Sequence, residues 1–265
     1  MKNAVVFLLV LFVGCSSLQT IESVPEPNIE LGDRSHLDDK SKILYEVSND
    51  EKNLHVMFRT TERASIIKIL QTGFTVYFNT KGKKKKDISI QYPLPQDMET
   101  FRQSMMSEMK QGGQQPQLDI NKFLGMISHM SIYSYFGEEE NINLYSNSSD
   151  IKVSVKSIQQ DELTYDLIIP FTRIFKDETI DVSKLTVGFV SGKMEIPSTG
   201  GGMSGGGGMR GGGMSGGGMS GGGMGGGGGM RGGGKSGGGM SGGSNMSGLT
   251  SPIEFWKNVV LNIQD

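Results

Sequence analysis

The segment NLHVMFRT, residues 53–60, decides the fold class because its apolar side chains stand at every second position. Alternation with a period of two is typical of a β-strand that buries one face and exposes the other. The apolar face consists of Leu54, Val56 and Phe58, and the opposite face of His55, Met57 and Arg59. The segment therefore predicts a sheet that packs on one side against a core.

Five later segments repeat this alternation. Their apolar positions are Phe74, Val76 and Phe78; Ile88 and Ile90; Ile151, Val153 and Val155; Tyr165, Leu167 and Ile169; and Leu185, Val187 and Phe189. Six or more short strands separated by turns are typical of an antiparallel β-sandwich. We therefore predict a mainly β domain over residues 42–198.

Two stretches depart from the β pattern. The apolar run from Ala64 to Leu70 predicts a short helix between the first two strands. Residues 97–130 predict a helical insertion of two helices, the first capped by Asp97 and the second beginning at Asp119. The apolar face of the first helix consists of Met98, Phe101, Met105 and Met109. Methionine at this spacing is typical of adaptable core filling.

The N-terminal residues have the pattern of a secretory signal, which we assign to residues 1–14. An unbroken apolar run of ten residues extends from Ala4 to Val13, which is too short to span a bilayer. Gly14 then precedes Cys15, the one cysteine of the sequence, and this arrangement resembles the lipobox of bacterial lipoproteins. The resemblance implies cleavage before Cys15, lipidation of Cys15 and attachment to a membrane. The alternative is a simple secretory peptide in which the cysteine is incidental.

Residues 15–41 are polar, contain Pro25 and Pro27 and lack a sustained apolar period, so they predict a flexible tether. No aspartate follows Cys15, and in some bacterial lipoproteins an aspartate there marks retention at the inner membrane. We therefore expect an outer-membrane lipoprotein of the bacterial cell envelope, on the periplasmic or the surface face.

Residues 199–248 form a tract of GGGMS-like repeats that holds 30 of the 40 glycines. Such a segment has too little apolar area to offset its ordering entropy, so we predict a disordered loop. Its methionine thioethers are soft ligands that suit Cu(I), which makes copper handling an alternative function. The candidate ligands are Met203, Met209, Met214, Met219, Met224 and Met230.

The C-terminal segment, residues 249–265, contains the single tryptophan of the chain, Trp256. Ile253, Trp256, Val260 and Ile263 are spaced as one face of a helix. We expect this segment to dock on the sandwich, so that the glycine-rich tract is an internal loop.

Composition excludes several classes of function. A net charge of −2 gives no reason to expect a nucleic-acid partner. One cysteine and 3 histidines exclude a disulfide framework and a dense thiol/imidazole metal cluster. No motif pairs a nucleophile with an adjacent base, so we expect neither an enzyme nor a bound cofactor.

Three stretches resemble a known family: NLHVMFRT, GFTVYFNTKGKKKKDISIQYP and LTYDLIIPFTRIF. They are similar to the DOMON-like β-sandwich, in the form of carbohydrate-binding module family 9 and its relatives, over about residues 43–196 apart from the helical insertion. The resemblance implies sugar binding or, in some branches, haem binding through a Met or His pair, for which His55 and Met57 share a face. The sequence departs from the family at the sugar-binding site. Family 9 modules hold a terminal sugar between tryptophan rings, and this chain has one tryptophan.

These features together predict a non-catalytic, lipid-anchored envelope protein whose sandwich binds a glycan, an envelope component or a protein partner. The ligand-binding residues are not identifiable from the sequence. Copper handling through the methionine-rich tract and a haem-binding accessory subunit are the alternatives.

Overall fold

The computed structural model describes residues 18–25, 31–111, 119–146, 148–159, 161–176, 180–194 and 250–262. The described residues form thirteen strands and four helices. Cys15, the predicted signal peptide at residues 1–14 and the glycine-rich tract at residues 199–248 lie outside these ranges.

One sheet has seven strands in the order β1-β13-β12-β6-β7-β8-β9. Their bounds are β1 Thr20–Glu22, β6 Phe74–Asn79, β7 Ile88–Gln91, β8 Met130–Tyr135, β9 Glu138–Asn143, β12 Leu185–Ser191 and β13 Glu254–Val260. All neighbours are antiparallel except β1, which pairs with β13 in parallel.

The other sheet has six strands, in the order β10-β11-β5-β4-β2, with β3 also paired to β4. Their bounds are β2 Val24–Pro25, β3 His36–Asp38, β4 Ile43–Asn49, β5 Asn53–Thr60, β10 Lys152–Ser157 and β11 Leu163–Pro170. Only β2 and β4 pair in parallel among these described strands.

The two sheets pack face to face around an aromatic core. Phe58 of the six-stranded sheet contacts Phe74 of the seven-stranded sheet with ring centroids 4.9 Å apart, and Tyr45 contacts Phe189 at 5.2 Å. All four rings are fully buried. The predicted mainly β sandwich is therefore confirmed, with two parallel pairings in sheets that were expected to be antiparallel.

The helices are α1 Arg63–Thr72, α2 Met98–Gln111, α3 Ile120–Leu124 and α4 Phe171–Phe175. Helices α2 and α3 lie in the predicted insertion and pack through Phe101 and Phe123, whose ring centroids are 4.9 Å apart. The Asp97 carboxylate accepts a hydrogen bond of 2.9 Å from the Thr100 amide, as expected of an N-cap. Helix α3 ends at Leu124, because Gly125 closes the turn and β8 begins at Met130.

The predicted flexible tether at residues 15–41 is wrong for the part that the structure describes. Strands β1, β2 and β3 fall inside it and pair with β13 and β4. Strands of two or three residues are too short to show a period, and β1 pairs with a segment 238 residues away in the chain. Neither property is visible in the local sequence.

The helix predicted at the C-terminus is also wrong, because residues 254–260 form strand β13 between β1 and β12. The segment is rich in aromatic and β-branched residues, which favour strands. Phe255 and Val259 belong to the core, whereas Trp256 lies on the opposite side of the sheet. The Trp256 ring stacks on Tyr77 with centroids 5.8 Å apart.

Candidate functional site

Four adjacent strands of the six-stranded sheet present a polar face on the side away from the core. The register aligns their side chains in two rows that cross β4, β5, β11 and β10. The first row is Ser48, His55, Ile168 and Lys152, and the second row is Glu46, Met57, Asp166 and Ser154. We call these eight residues the sheet-face site.

A cavity of about 410 Å³ opens on this face and is lined by both rows and by Lys156. Its size falls in the range of small-molecule sites, about 300–1,000 Å³. The cavity places two cations, two carboxylates, two serine hydroxyls and an imidazole around the apolar side chains of Met57 and Ile168. Donors and acceptors therefore surround a small apolar floor.

Asp166, on β11, is one of the two carboxylates that line the cavity. Burial raises its pKa above the ordinary value, and the Lys156 ammonium, 4.0 Å from the carboxylate, acts in the opposite direction. Its side chain is 33% exposed, so the carboxylate still reaches solvent. Lys156 is its ion-pair partner at 4.0 Å, and the carboxylate oxygens can still accept hydrogen bonds from a ligand.

His55 is held in position by Asp50, which lies in the turn between β4 and β5. The His55 Nε2 atom is 3.0 Å from Asp50 Oδ2. Burial acts to raise the pKa of Asp50, but hydrogen bonds from the side chains of His55 and Asn53 and from the amides of Lys52 and Asn53 outweigh it and lower the pKa well below its usual range. Because an ionised carboxylate only accepts hydrogen bonds, Nε2 carries the proton and Nδ1 is left as an acceptor in the neutral ring.

This geometry does not suit haem ligation by His55 and Met57. Both side chains project from the same side of β5, whereas two axial ligands must approach a haem iron from opposite faces. The Nε2 atom of His55 is also hydrogen-bonded to Asp50. These two residues instead contribute an acceptor and an apolar surface to the sheet-face site.

Glu46 and Ser48 form the inner edge of the site. They are only 4% and 6% exposed although they lie on the outward face of β4. The Gly32 amide donates a hydrogen bond of 3.3 Å to Glu46 Oε2, so the chain preceding β3 covers this edge. The cavity is consequently more open toward β10 than toward β4.

Most of these residues were not singled out from the sequence. His55 and Met57 were named as a pair, and only the apolar neighbours of Lys152 and Lys156 were assigned to a strand. The signal that could have found the site is the placement of opposite charges on the outward face of several strands. Using that signal requires the strand order β10-β11-β5-β4, which no local pattern contains.

The residues predicted for lipidation and copper binding cannot be compared with this geometry, because Cys15 and Met203, Met209, Met214, Met219, Met224 and Met230 lie outside the described residues. Within the described ranges, no three His, Cys, Asp or Glu side chains are grouped so that they could hold a metal ion. No helix in those ranges is long and apolar enough to cross a membrane.

No family model and no curated protein matches the sequence. Among solved structures, the chain is similar to a carbohydrate binding module family 9 (CBM9) from Caldicellulosiruptor kristjanssonii in complex with glucose, with 9% identity, a TM-score of 0.29 and coverage of 68% of this chain and 81% of that one. A CBM9 of that organism in complex with cellotriose matches with 8% identity, a TM-score of 0.29 and coverage of 68% and 78%. A candidate carbohydrate-binding protein from Bacteroides uniformis matches with 7% identity, a TM-score of 0.31 and coverage of 66% and 84%. Similarity this distant identifies no ligand and no site in this chain.

Proposed function

We propose that the protein is a non-catalytic binding protein of the cell envelope and that its sheet-face site takes a polyhydroxylated ligand of the carbohydrate class. The observation that carries this proposal is the lining of the cavity, which combines carboxylates, ammonium groups and hydroxyls with an apolar floor. A sugar presents hydroxyl groups that both donate and accept, together with C–H faces that pack on side chains such as Met57 and Ile168.

The proposed site is tested by calorimetric titration with glucose and cellotriose and by a broader glycan array. Asp166→Asn and Lys152→Gln remove one acceptor and one cation from the cavity. Each change should weaken binding by about tenfold, since a hydrogen bond to a charged group contributes about 1.5–3 kcal/mol.

Matched controls for these variants are available elsewhere on the surface. Asp161→Asn changes an exposed aspartate in the turn before β11, and Lys193→Gln changes an exposed lysine beyond β12. Both controls should bind as the wild type does. Failure of the wild type to bind any glycan of the array contradicts the proposal.

Attachment to the outer membrane through lipidated Cys15 is part of the same proposal and rests on the sequence around Val13, Gly14 and Cys15. Cys15→Ser should move the protein from the membrane fraction to the soluble fraction and abolish labelling by a palmitate analogue. Membrane association of the wild type without labelling contradicts lipidation, and it leaves the glycan-binding proposal untouched because the sheet-face site is on the folded domain.

A further inference from the structure

Tyr145 combines high exposure with a fixed position. Its side chain is 73% exposed, more than any other large apolar side chain among the described residues. Its hydroxyl is nevertheless 2.9 Å from His129 Nε2, and the two ring centroids are 4.3 Å apart. Its amide donates a hydrogen bond of 3.0 Å to Asn143 Oδ1. The ring is therefore presented to solvent while its hydroxyl and its backbone are both held.

The chain that carries Tyr145 is fixed on both sides. The Leu144 amide donates a hydrogen bond of 2.9 Å to the His129 carbonyl, which ties the start of the segment to the residue before β8. At the far end, the Arg173 guanidinium makes two hydrogen bonds of 2.9 Å to Asp150 and one of 2.8 Å to Glu140 on β9. One arginine thus links the strand before the segment to the residue that ends it.

A ring held in this way is suited to stacking against a flat, partly apolar ligand. Tyrosine offers a large contact area, and a ring that is already ordered loses little entropy when a ligand binds. Ser146 and Ser148, which follow Tyr145 in the chain, have hydroxyls 2.6 Å from each other and add polar groups to the segment. A pyranose ring matches this combination, because one of its faces presents C–H groups and its rim presents hydroxyls.

The position of Tyr145 relates this ring to the sheet-face site. Lys152 begins β10 and lines the cavity, seven residues after Tyr145. Seven residues span at most about 25 Å even when fully extended. An oligosaccharide of several units can therefore reach from the cavity to the ring.

We propose that Tyr145, oriented by His129, is a second subsite that stacks a distal sugar unit of the oligosaccharide bound at the sheet-face site. This inference rests on the proposed function. It predicts that the contribution of Tyr145 depends on ligand length, since Tyr145 is not among the residues that line the cavity.

The test compares variants on an array of oligosaccharides graded from one to about six units, followed by titration of the tightest soluble member and of its monosaccharide. Tyr145→Ala should weaken binding of the long ligand by about tenfold and leave binding of the monosaccharide unchanged. His129→Ala should weaken binding of the long ligand by a smaller factor, because the ring remains but is no longer held.

Phe136→Ala is the matched control, because Phe136 is 57% exposed and lies at the turn between β8 and β9, at the end of this hairpin that is opposite to Tyr145. It should bind every ligand as the wild type does. Equal affinity of Tyr145→Ala and the wild type for long ligands overturns the inference, while the loss caused by Asp166→Asn shows that the proposed function still stands. Absence of binding to the whole array by the wild type overturns both. Circular dichroism melts confirm that each variant is folded.

Discussion

The indole ring of Trp256 lies so close to Gly188 that a β-carbon added at residue 188 would be 2.4 Å from two ring carbons. The two residues are directly opposite in the antiparallel pair β12–β13. Gly188→Ala should therefore destabilise the protein by about 1–3 kcal/mol through overpacking, measured by denaturant unfolding. Gly125→Ala is the control, because its new β-carbon would make only ordinary contacts, the nearest at 3.4 Å. Equal losses in the two variants would show that the close approach is unimportant.

Truncation of the ring tests the same contact from the other side. Trp256 is 7% exposed, and its Nε1 donates a hydrogen bond of 3.0 Å to Glu254. Trp256→Ala should cost about 3 kcal/mol of unfolding free energy. As Trp256 is the one tryptophan of the chain, wild-type emission reports this site alone and should shift to the red on unfolding. A native emission maximum already at the position of free tryptophan contradicts the prediction.

Stability should fall as pH rises through the raised pKa of Asp166. Burial favours its neutral form, so the folded state binds this proton more tightly than the unfolded state, whose value is near 3.8. Asp166→Asn should therefore raise the melting temperature at neutral pH, and the difference from the wild type should disappear at acidic pH. Calorimetry of both proteins from acidic to neutral pH measures this difference in melting temperature. A lower melting temperature for the variant at neutral pH would mean that attraction to Lys156 outweighs burial.

Asp50 should show the opposite pH dependence. Its pKa is lowered in the folded state, so its contribution to stability is present above the unfolded value of 3.8 and is lost as pH falls below it. Asp50→Asn should cost about 1 kcal/mol at neutral pH, a figure kept small because this side chain is 38% exposed. The loss should shrink below about pH 4. A constant loss at all pH values would indicate that shape rather than charge is responsible.

Replacement of residues 195–249 by a linker of about eight residues should preserve the sandwich. The ends of this connection already meet, because the Ser191 amide donates to the Ile253 carbonyl and the Ile253 amide donates to Ser191 Oγ, both at 2.9 Å. Shortening this segment from 55 to about eight residues lowers its closure cost by about 2 kcal/mol. Thermal melts should show equal or higher stability. A large loss would show that the replaced residues pack on the domain.

The strands predicted from the sequence are those in which burial alternates locally. Strand β5 could be predicted without knowledge of its neighbours, because one face of residues 53–60 is apolar and the other is not. Strand β13 was mistaken for a helix, since the spacing of Ile253, Trp256 and Val260 fits a helical face. What decides its conformation is pairing with β12, which is separated from it by 62 residues between Ser191 and Ile253.

The candidate site was less predictable than the fold for the same reason. Polar residues at alternate positions identify an outward face, yet Asp166, Met57 and Lys152 become neighbours only through the order of the strands. Tyr145 gave no periodic signal, as it follows the end of β9 in an irregular segment. Its significance comes from contacts with His129 and from the anchoring of its segment by Arg173, neither of which is encoded by spacing.

The parallel pairing of β1 with β13 joins segments near the two ends of the described residues, so it can form only late in synthesis. Thr20 precedes its register partner Asn258 by 238 residues. At about 5–20 residues per second of translation, the first strand waits roughly 10 to 50 s before its partner exists. Until then the edge of β12 is open to any other strand. The seven-stranded sheet can therefore be completed only after residues 254–260 have been made.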